Sequence, residues 1–235
     1  MADYPCAMSD SFEIVDSAAT DDGTVLVLAR EDDVWEVRVD HRLLMASDDH
    51  TSEDALSTLA LSRMPGARRV LVGGLGMGYT LRAALNRLPK DADVVIAEMS
   101  PALVGWNRDV FGALADHPLK DPRVTLRMGD VGERIRESDG GFDVILLDVD
   151  NGPEAIVHDH NANLYDAQGV ADCFRALRKG GVVAVWSASG DAGFVARLKH
   201  AGFAVDAVSV DDAEFEDVDD MEDCRHVVFI ATKPA

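Results

Sequence analysis

Four glycines fall within the six residues Gly73-Gly74-Leu75-Gly76-Met77-Gly78, directly after the apolar run Val70-Leu71-Val72 and before a helical pattern that begins near Tyr79. Glycine lets a chain turn where a Cβ would clash, and it lets backbone approach a ligand closely. A strand, a glycine turn and a helix in that order form the opening unit of a nucleoside-binding α/β domain. A turn that only reverses the chain has the same composition, so the surrounding segments decide between the two readings.

Apolar runs recur at 94–97, 124–126, 144–147 and 182–186, and helical stretches at 79–88, 101–115, 131–137, 166–178 and 191–200 separate most of them. Uninterrupted Val, Ile and Leu between helices predict a mostly parallel sheet buried on both faces. The C-terminal end differs. Phe203–Val210 and His226–Thr232 are β-like, with no helix pattern between them, and predict an antiparallel pair at one sheet edge. The segment joining them, 211–223, carries nine carboxylates and reads as a solvated loop, since the central glycine of a calcium loop is absent.

Upstream, residues 24–29, 34–39 and 41–45 read as short strands, the first two joined as a hairpin across polar 30–33. Residues 11–50 are therefore assigned to a small N-terminal antiparallel β appendage and 51–235 to the α/β domain, with residues 1–20 poor in pattern. Ser52-Glu53-Asp54 opens a helix that runs to Met64 and stops at Pro65-Gly66.

The net charge of −21 argues against nucleic acid as a partner, because phosphate contacts rely on Lys and Arg. No run reaches the ~18 apolar residues of a membrane span. The first ten residues lack a basic start and an apolar core, so a secretory signal is not expected. Cys6, Cys173 and Cys224 are widely spaced, with no CxxC, which points away from disulfides and zinc and toward reduced thiols in the cytoplasm. His158 and His160 stand two apart, but they read as part of a polar loop rather than a metal site, and no metal is expected.

The acids at strand ends carry the chemistry. Glu98 closes the second strand of the α/β domain, where a carboxylate can accept both ribose hydroxyls. Asp130 follows the third strand and can accept from an adenine amino group or cap the next helix. Asp148 and Asp150 close the fourth strand, where ligands bind in open α/β sheets, and there they can hold an amine and take its proton. Asp150-Asn151-Gly152-Pro153 also makes a turn on its own account, whereas Asp148 stands on an otherwise apolar strand. The glycine turn carries no Lys and no following GK[ST], which rules out Walker-type phosphate binding and leaves NAD or an S-adenosyl compound.

The order of the β appendage, Gly73–Gly78 with Tyr79-Thr80-Leu81-Arg82, Glu98, Gly129-Asp130, Leu147-Asp148 and Leu177-Arg178-Lys179-Gly180-Gly181 resembles the spermidine synthase-like branch of the S-adenosylmethionine-dependent methyltransferase fold. The resemblance covers residues 24–232. It implies a Rossmann-like, mostly parallel seven-stranded sheet with an antiparallel C-terminal pair. It also implies donor binding by Gly73, Gly74, Leu75, Gly76, Gly78, Glu98, Met99, Gly129, Asp130 and Val131. Asp148 is then the general base, with Asp150 and Glu53 toward the acceptor, and the donor is S-adenosylmethionine or its decarboxylated form. The implied partner is a putrescine-like small amine, and the implied assembly is a homodimer. The chain departs from the family pattern where Gly76-Met77 replaces an acid in the glycine turn and Leu44 replaces a Gln in the appendage. Those departures keep open a methyltransferase acting on another small acceptor, or a catalytically silent dimeric binding protein.

Overall fold

The computed structural model describes residues 12–20, 23–39, 42–149, 152–153, 162–210, 216–217 and 226–235. The chain divides into two compact units, Met1–His50 and Thr51–Ala235.

The first unit is a four-stranded antiparallel sheet of β1 (Glu13–Ala19), β2 (Val25–Glu31), β3 (Val34–Val39) and β4 (Arg42–Ala46), paired in chain order. Glu31 faces Val34 across a two-residue turn in which Asp32 takes φ 52°. Leu26, Leu28 and Val37 are buried at alternate positions of their strands, and Ala29 is buried beside Leu28. Strand β1 lies in the segment whose sequence shows no pattern. Ile14 and Val15 are both exposed, and the strand is held by its ladder to β2, with a register shift between Ile14 and Asp16.

The second unit opens with α1 (Thr51–Arg63), then β5 (Arg69–Gly73), α2 (Tyr79–Arg87), β6 (Asp93–Glu98), α3 (Pro101–Asp109) and α4 (Phe111–Leu114). It continues through β7 (Val124–Met128), α5 (Val131–Arg136), β8 (Phe142–Leu147), α6 (Ala162–Tyr165), α7 (Ala167–Ala176), β9 (Leu177–Ser187) and α8 (Ala192–His200). It ends with β10 (Ala204–Ser209), the two-residue β11 (Glu216–Asp217) and β12 (Val227–Thr232). The sheet order is β11-β10-β12-β9-β8-β5-β6-β7. Strands β9, β8, β5, β6 and β7 are parallel, and β12 and β10 add the antiparallel pair, with β12 innermost. Seven strands make the sheet as expected, and β11 extends its edge through two residues.

The expected helix over 101–115 is two pieces, interrupted at Val110. Val110 and Gly112 hold a helix weakly, and the His117 ring packs where a Cβ of residue 112 would stand. Strand β9 begins at Leu177, before the apolar run, because Leu177 already faces Phe142; the ladder then shifts register before Val182.

Alternation along the strands builds two cores. Val72, Ile96, Leu146 and Ala184 face α1 and α2 through Leu56, Leu81 and Leu85. Leu71, Ile145, Val183 and Phe229 face α5, α7 and α8 through Ile135, Val170 and Phe194. Each large aliphatic side chain buried here contributes about 1.5–3 kcal/mol. Asp143 pins the base of the sheet. Its Oδ2 accepts from the amides of Arg68 and Arg69 at 2.6 and 3.1 Å, and its Oδ1 meets Arg178 Nε at 2.7 Å.

Candidate active site

The chain after β5 runs to β6 on one side and, later, β8 pairs with β5 on the other. Strand order therefore reverses between β5 and β8, and open α/β sheets bind ligands at such a point, beyond the carboxyl ends of the strands. Four segments meet along that edge. The Gly74 amide donates to the Ala97 carbonyl at 3.0 Å, the Asp148 amide to the Gly73 carbonyl at 2.9 Å, and the Gly129 amide to the Glu98 carbonyl at 2.9 Å. Asp148, the glycine turn, Glu98 and Gly129-Asp130 thus stand in one row, although up to 75 residues separate them in sequence.

Gly74, Gly76 and Gly78 take φ of 85°, 50° and 94°. A Cβ at Gly74 would run into the Asp148 carbonyl, so only glycine fits. Leu75 and Met77 turn inward and are buried, which leaves backbone at Gly74 and Gly76 partly accessible. Asn107 holds the turn from α3, donating to the Gly76 carbonyl at 2.7 Å. The turn offers a cradle of backbone with no charge of its own.

Glu98 is 7% exposed and binds this turn directly. Its Oε2 accepts from the Leu75 amide at 2.8 Å and its Oε1 from the Ser100 amide at 2.7 Å. Burial raises its carboxyl above the ordinary range, and hydrogen bonds from the Ser100, Leu75 and Met99 amides oppose that. Three amides leave the carboxylate one further acceptor position for a ligand hydroxyl. Met99 and Met128 expose their side chains beside it at the ends of β6 and β7.

Asp130 caps α5. Its Oδ1 accepts from the Gly132 amide at 2.8 Å, and Arg136 Nη2 lies 3.2 Å from its Oδ2. Val131 is buried against Gly73, so the exposed surface of this corner comes from Gly129 and Asp130.

Asp148 is partly accessible, and Thr80 Oγ1 donates to its Oδ2 at 2.5 Å. Thr80 is buried on the first turn of α2, and its carbonyl accepts from Ser57 Oγ of α1 at 2.7 Å. The Asp148 carboxyl is pushed up to about 7, first by burial and then by the Glu53 carboxylate, while the Thr80 bond opposes the shift. Glu53 sits on the first turn of α1, where Ser52 Oγ donates to its Oε2 at 2.6 Å. A carboxyl that titrates near neutrality within the field of a second carboxylate can hold a cationic amine and exchange a proton with it. Asp150, His158, His160 and Asn161 lie outside the described residues, as does most of the acidic 211–223 segment. Among the described residues no group of three or more His, Cys, Asp or Glu side chains could hold a metal ion. Thr80 is the member of this cluster that the strand-end acids did not reveal; its signal is its place one turn into the helix behind the glycines.

The sheet order and the switch-point site define a Rossmann-like domain of the methyltransferase type. The spermidine synthase of Thermotoga maritima superposes on this chain with a TM-score of 0.72 at 17% identity, covering 94% of this chain and 72% of that one. A probable spermidine synthase from Corynebacterium glutamicum gives 0.67 at 16% identity, with 94% and 80% covered. Residues 49–190 match the spermine/spermidine synthase domain, and the chain belongs to that family. A polyamine aminopropyltransferase of Leptospira biflexa is 30% identical over 144 residues, 60% of this chain and 48% of that protein. Polyamine aminopropyltransferase 2 of Ralstonia nicotianae is 32% identical over 52% of this chain and 24% of its own length. Putrescine N-methyltransferase 1 of Nicotiana tabacum is 33% identical over 53% of this chain and 32% of its own. The chain spans less than half the length of each of these curated relatives.

Proposed function

We propose that the protein is an enzyme that transfers an aminopropyl group from decarboxylated S-adenosylmethionine to a putrescine-like primary amine. The observation that carries this reading is the Asp148 carboxyl, raised to about 7 beside Glu53 at the sheet's switch point. The amine nitrogen attacks the carbon bonded to the sulfonium. A C–N bond forms, the C–S bond breaks, and methylthioadenosine leaves as a neutral thioether. The extra proton on nitrogen passes to Asp148. The sulfonium is already a good leaving group, so alignment of donor and acceptor supplies most of the acceleration.

On this reading the glycine turn, Leu75 included, lies under the donor's tail. Glu98 accepts the ribose hydroxyls, Met99 flanks the nucleoside, and Gly129-Asp130-Val131 borders the adenine. Glu53 and Asp150 stand toward the acceptor. The accessible backbone at Gly74 and Gly76 and the remaining acceptor position of Glu98 support the donor assignment. Incubation with decarboxylated S-adenosylmethionine and putrescine should release methylthioadenosine, and absence of that product with any amine rejects the transfer.

A second reading, methyl transfer from S-adenosylmethionine, is favoured by one observation. The turn carries buried Met77 and no acid, so nothing in it repels the methionine carboxylate. Release of S-adenosylhomocysteine in place of methylthioadenosine selects it, and ligand binding without either product selects a binding protein.

The proposed setting is the cytoplasm, where a thiol such as buried Cys173 stays reduced. Among the described residues no helix is long and apolar enough to cross a membrane. The proposed assembly is a homodimer, for which exposed Ile14, Val15, Val25 and Leu43 of the N-terminal sheet supply apolar surface. Sedimentation at the mass of one chain would count against it.

A further inference from the structure

Among the described residues, sulfur is strongly exposed at one place. Met99 is 53% and Met128 50% exposed, whereas Met45 and Met64 are partly buried and Met77 is buried. Cys173 is buried as well, and burial followed by the Asp172 carboxylate pushes its thiol up to about 12, which leaves almost no reactive thiolate. Cys6 and Cys224 lie outside the described residues. Both exposed thioethers flank Glu98. Met99 follows it in the chain, and the Met99 amide is one of its donors. Met128 is its partner in the parallel ladder of β6 and β7, and the next amide, that of Gly129, donates to the Glu98 carbonyl at 2.9 Å.

Residues paired across a ladder point to the same sheet face. Ile96 with Leu126 and Val94 with Val124, two and four residues earlier, show this by packing into one core. The Met128 side chain therefore stands in the same row as the Glu98 carboxyl, one strand spacing of about 4.8 Å away. A large apolar side chain half in water beside a carboxylate with an acceptor position to spare fits the face of a nucleobase. Thioether sulfur gains from contact with an aromatic ring. Oxidation reverses that gain. The sulfur attacks one oxygen of a peroxide, an S–O bond forms, the O–O bond breaks, and with hydrogen peroxide the other oxygen leaves as water. Sulfur gives up two electrons and the peroxide takes them. The sulfoxide is polar. Its oxygen accepts hydrogen bonds and cannot donate, so at Met128 it meets the Glu98 carboxylate with like polarity.

We propose that Met99 and Met128 form a peroxide-sensitive modification site. Their conversion to sulfoxides closes the nucleoside end of the site to the donor, and reduction of the sulfoxides reopens it. This inference rests on the donor reading of Glu98 and the glycine turn, and not on which group is transferred or to what acceptor.

Calorimetric titration of the full chain with methylthioadenosine, before and after hydrogen peroxide, tests this, with the oxidised residues located by peptide mass spectrometry. Met99 and Met128 should oxidise ahead of Met45, Met64 and Met77, and saturating methylthioadenosine should slow the first two alone. Affinity should fall on the order of tenfold once both are sulfoxides. Methionine sulfoxide reductases for the two epimers, added together with dithiothreitol, should restore it. The double variant Met99→Leu, Met128→Leu serves as its own reference, and its affinity should change by less than about twofold on treatment. Undiminished binding with both sulfurs oxidised, a loss that the reductases do not reverse, or an equal loss in the double variant overturns the inference. If the double variant does not fold, the reductase arm and the ligand's protection of the two residues decide. If the untreated protein binds no methylthioadenosine, the inference falls together with the donor reading. If it binds and oxidation changes nothing, the donor reading stands and the inference alone falls.

Discussion

The Thr80 hydroxyl stands 2.5 Å from Asp148 Oδ2, joining the first turn of α2 to the end of β8. The bond favours the ionised carboxyl and so works against burial and Glu53. It also orients Oδ2, which leaves Oδ1 as the oxygen able to meet an acceptor. Thr80→Val should raise the Asp148 pKa above about 7 and move the acid limb of the pH–rate profile the same way. Turnover at pH 7 should fall on the order of tenfold, and Thr80→Ser should restore it. An unmoved acid limb in Thr80→Val would assign the bond to packing alone.

Asp148→Asn should abolish turnover while methylthioadenosine still binds. Its effect on stability depends on pH in a definite direction. Burial and Glu53 raise the folded carboxyl from its ordinary 3.8 to about 7. Below 3.8 the wild type carries no penalty; the penalty grows as pH rises and is complete above about 7. Asp148→Asn should therefore be neutral near pH 4 and stabilising above pH 7, by on the order of 2 kcal/mol once solvent screening of a partly accessible carboxyl is allowed for. Urea unfolding at a series of pH values measures the difference.

Glu98 serves the turn before it serves any ligand. Glu98→Ala leaves the Leu75 and Ser100 amides without their acceptor. We expect a loss of about 2–3 kcal/mol in unfolding free energy and methylthioadenosine binding weakened on the order of 30-fold. Glu98→Gln keeps acceptor capacity for one amide and should fall between, read by calorimetry and thermal unfolding.

Two glycines with positive φ separate conformational cost from collision. Gly140 takes φ 60° with open space where a Cβ would stand, so Gly140→Ala should cost about 1–2 kcal/mol. Gly74 takes φ 85°, and a Cβ there meets the Asp148 carbonyl, so Gly74→Ala should cost more than that and displace Asp148 as well. Chemical denaturation ranks the pair; similar costs would mean that the backbone relaxes around residue 74.

Asp143→Ala removes the acceptor that ties the start of β5 to β8 and β9. Two backbone amides lose their partner, and half-exposed Arg178 can return to water. A loss of about 2–3 kcal/mol in unfolding free energy, with donor binding unchanged, is expected.

The strands and helices of the α/β unit are legible because their signal is local. Val70-Leu71-Val72 and the runs like it are apolar on both faces, and Gly73–Gly78 announces a turn that needs positive φ. Strand β1 escaped because exposed Ile14 and Val15 carry no burial pattern; its backbone ladder to β2, a nonlocal bond, makes it a strand. The break at Val110 escaped because His117 packing on Gly112 depends on a turn downstream.

The acids Glu98, Asp130 and Asp148 could each be picked out by their place after an apolar run, and that much the sequence alone determined. Their partners were decided only by the tertiary structure. Strand order sets Asp148 beside Gly73, helix packing brings Thr80 and Glu53 to it, and strand register sets Met128 beside Glu98. A periodicity records which face a residue buries. It does not record which residue waits there, because that depends on contacts between segments that the chain brings together only on folding.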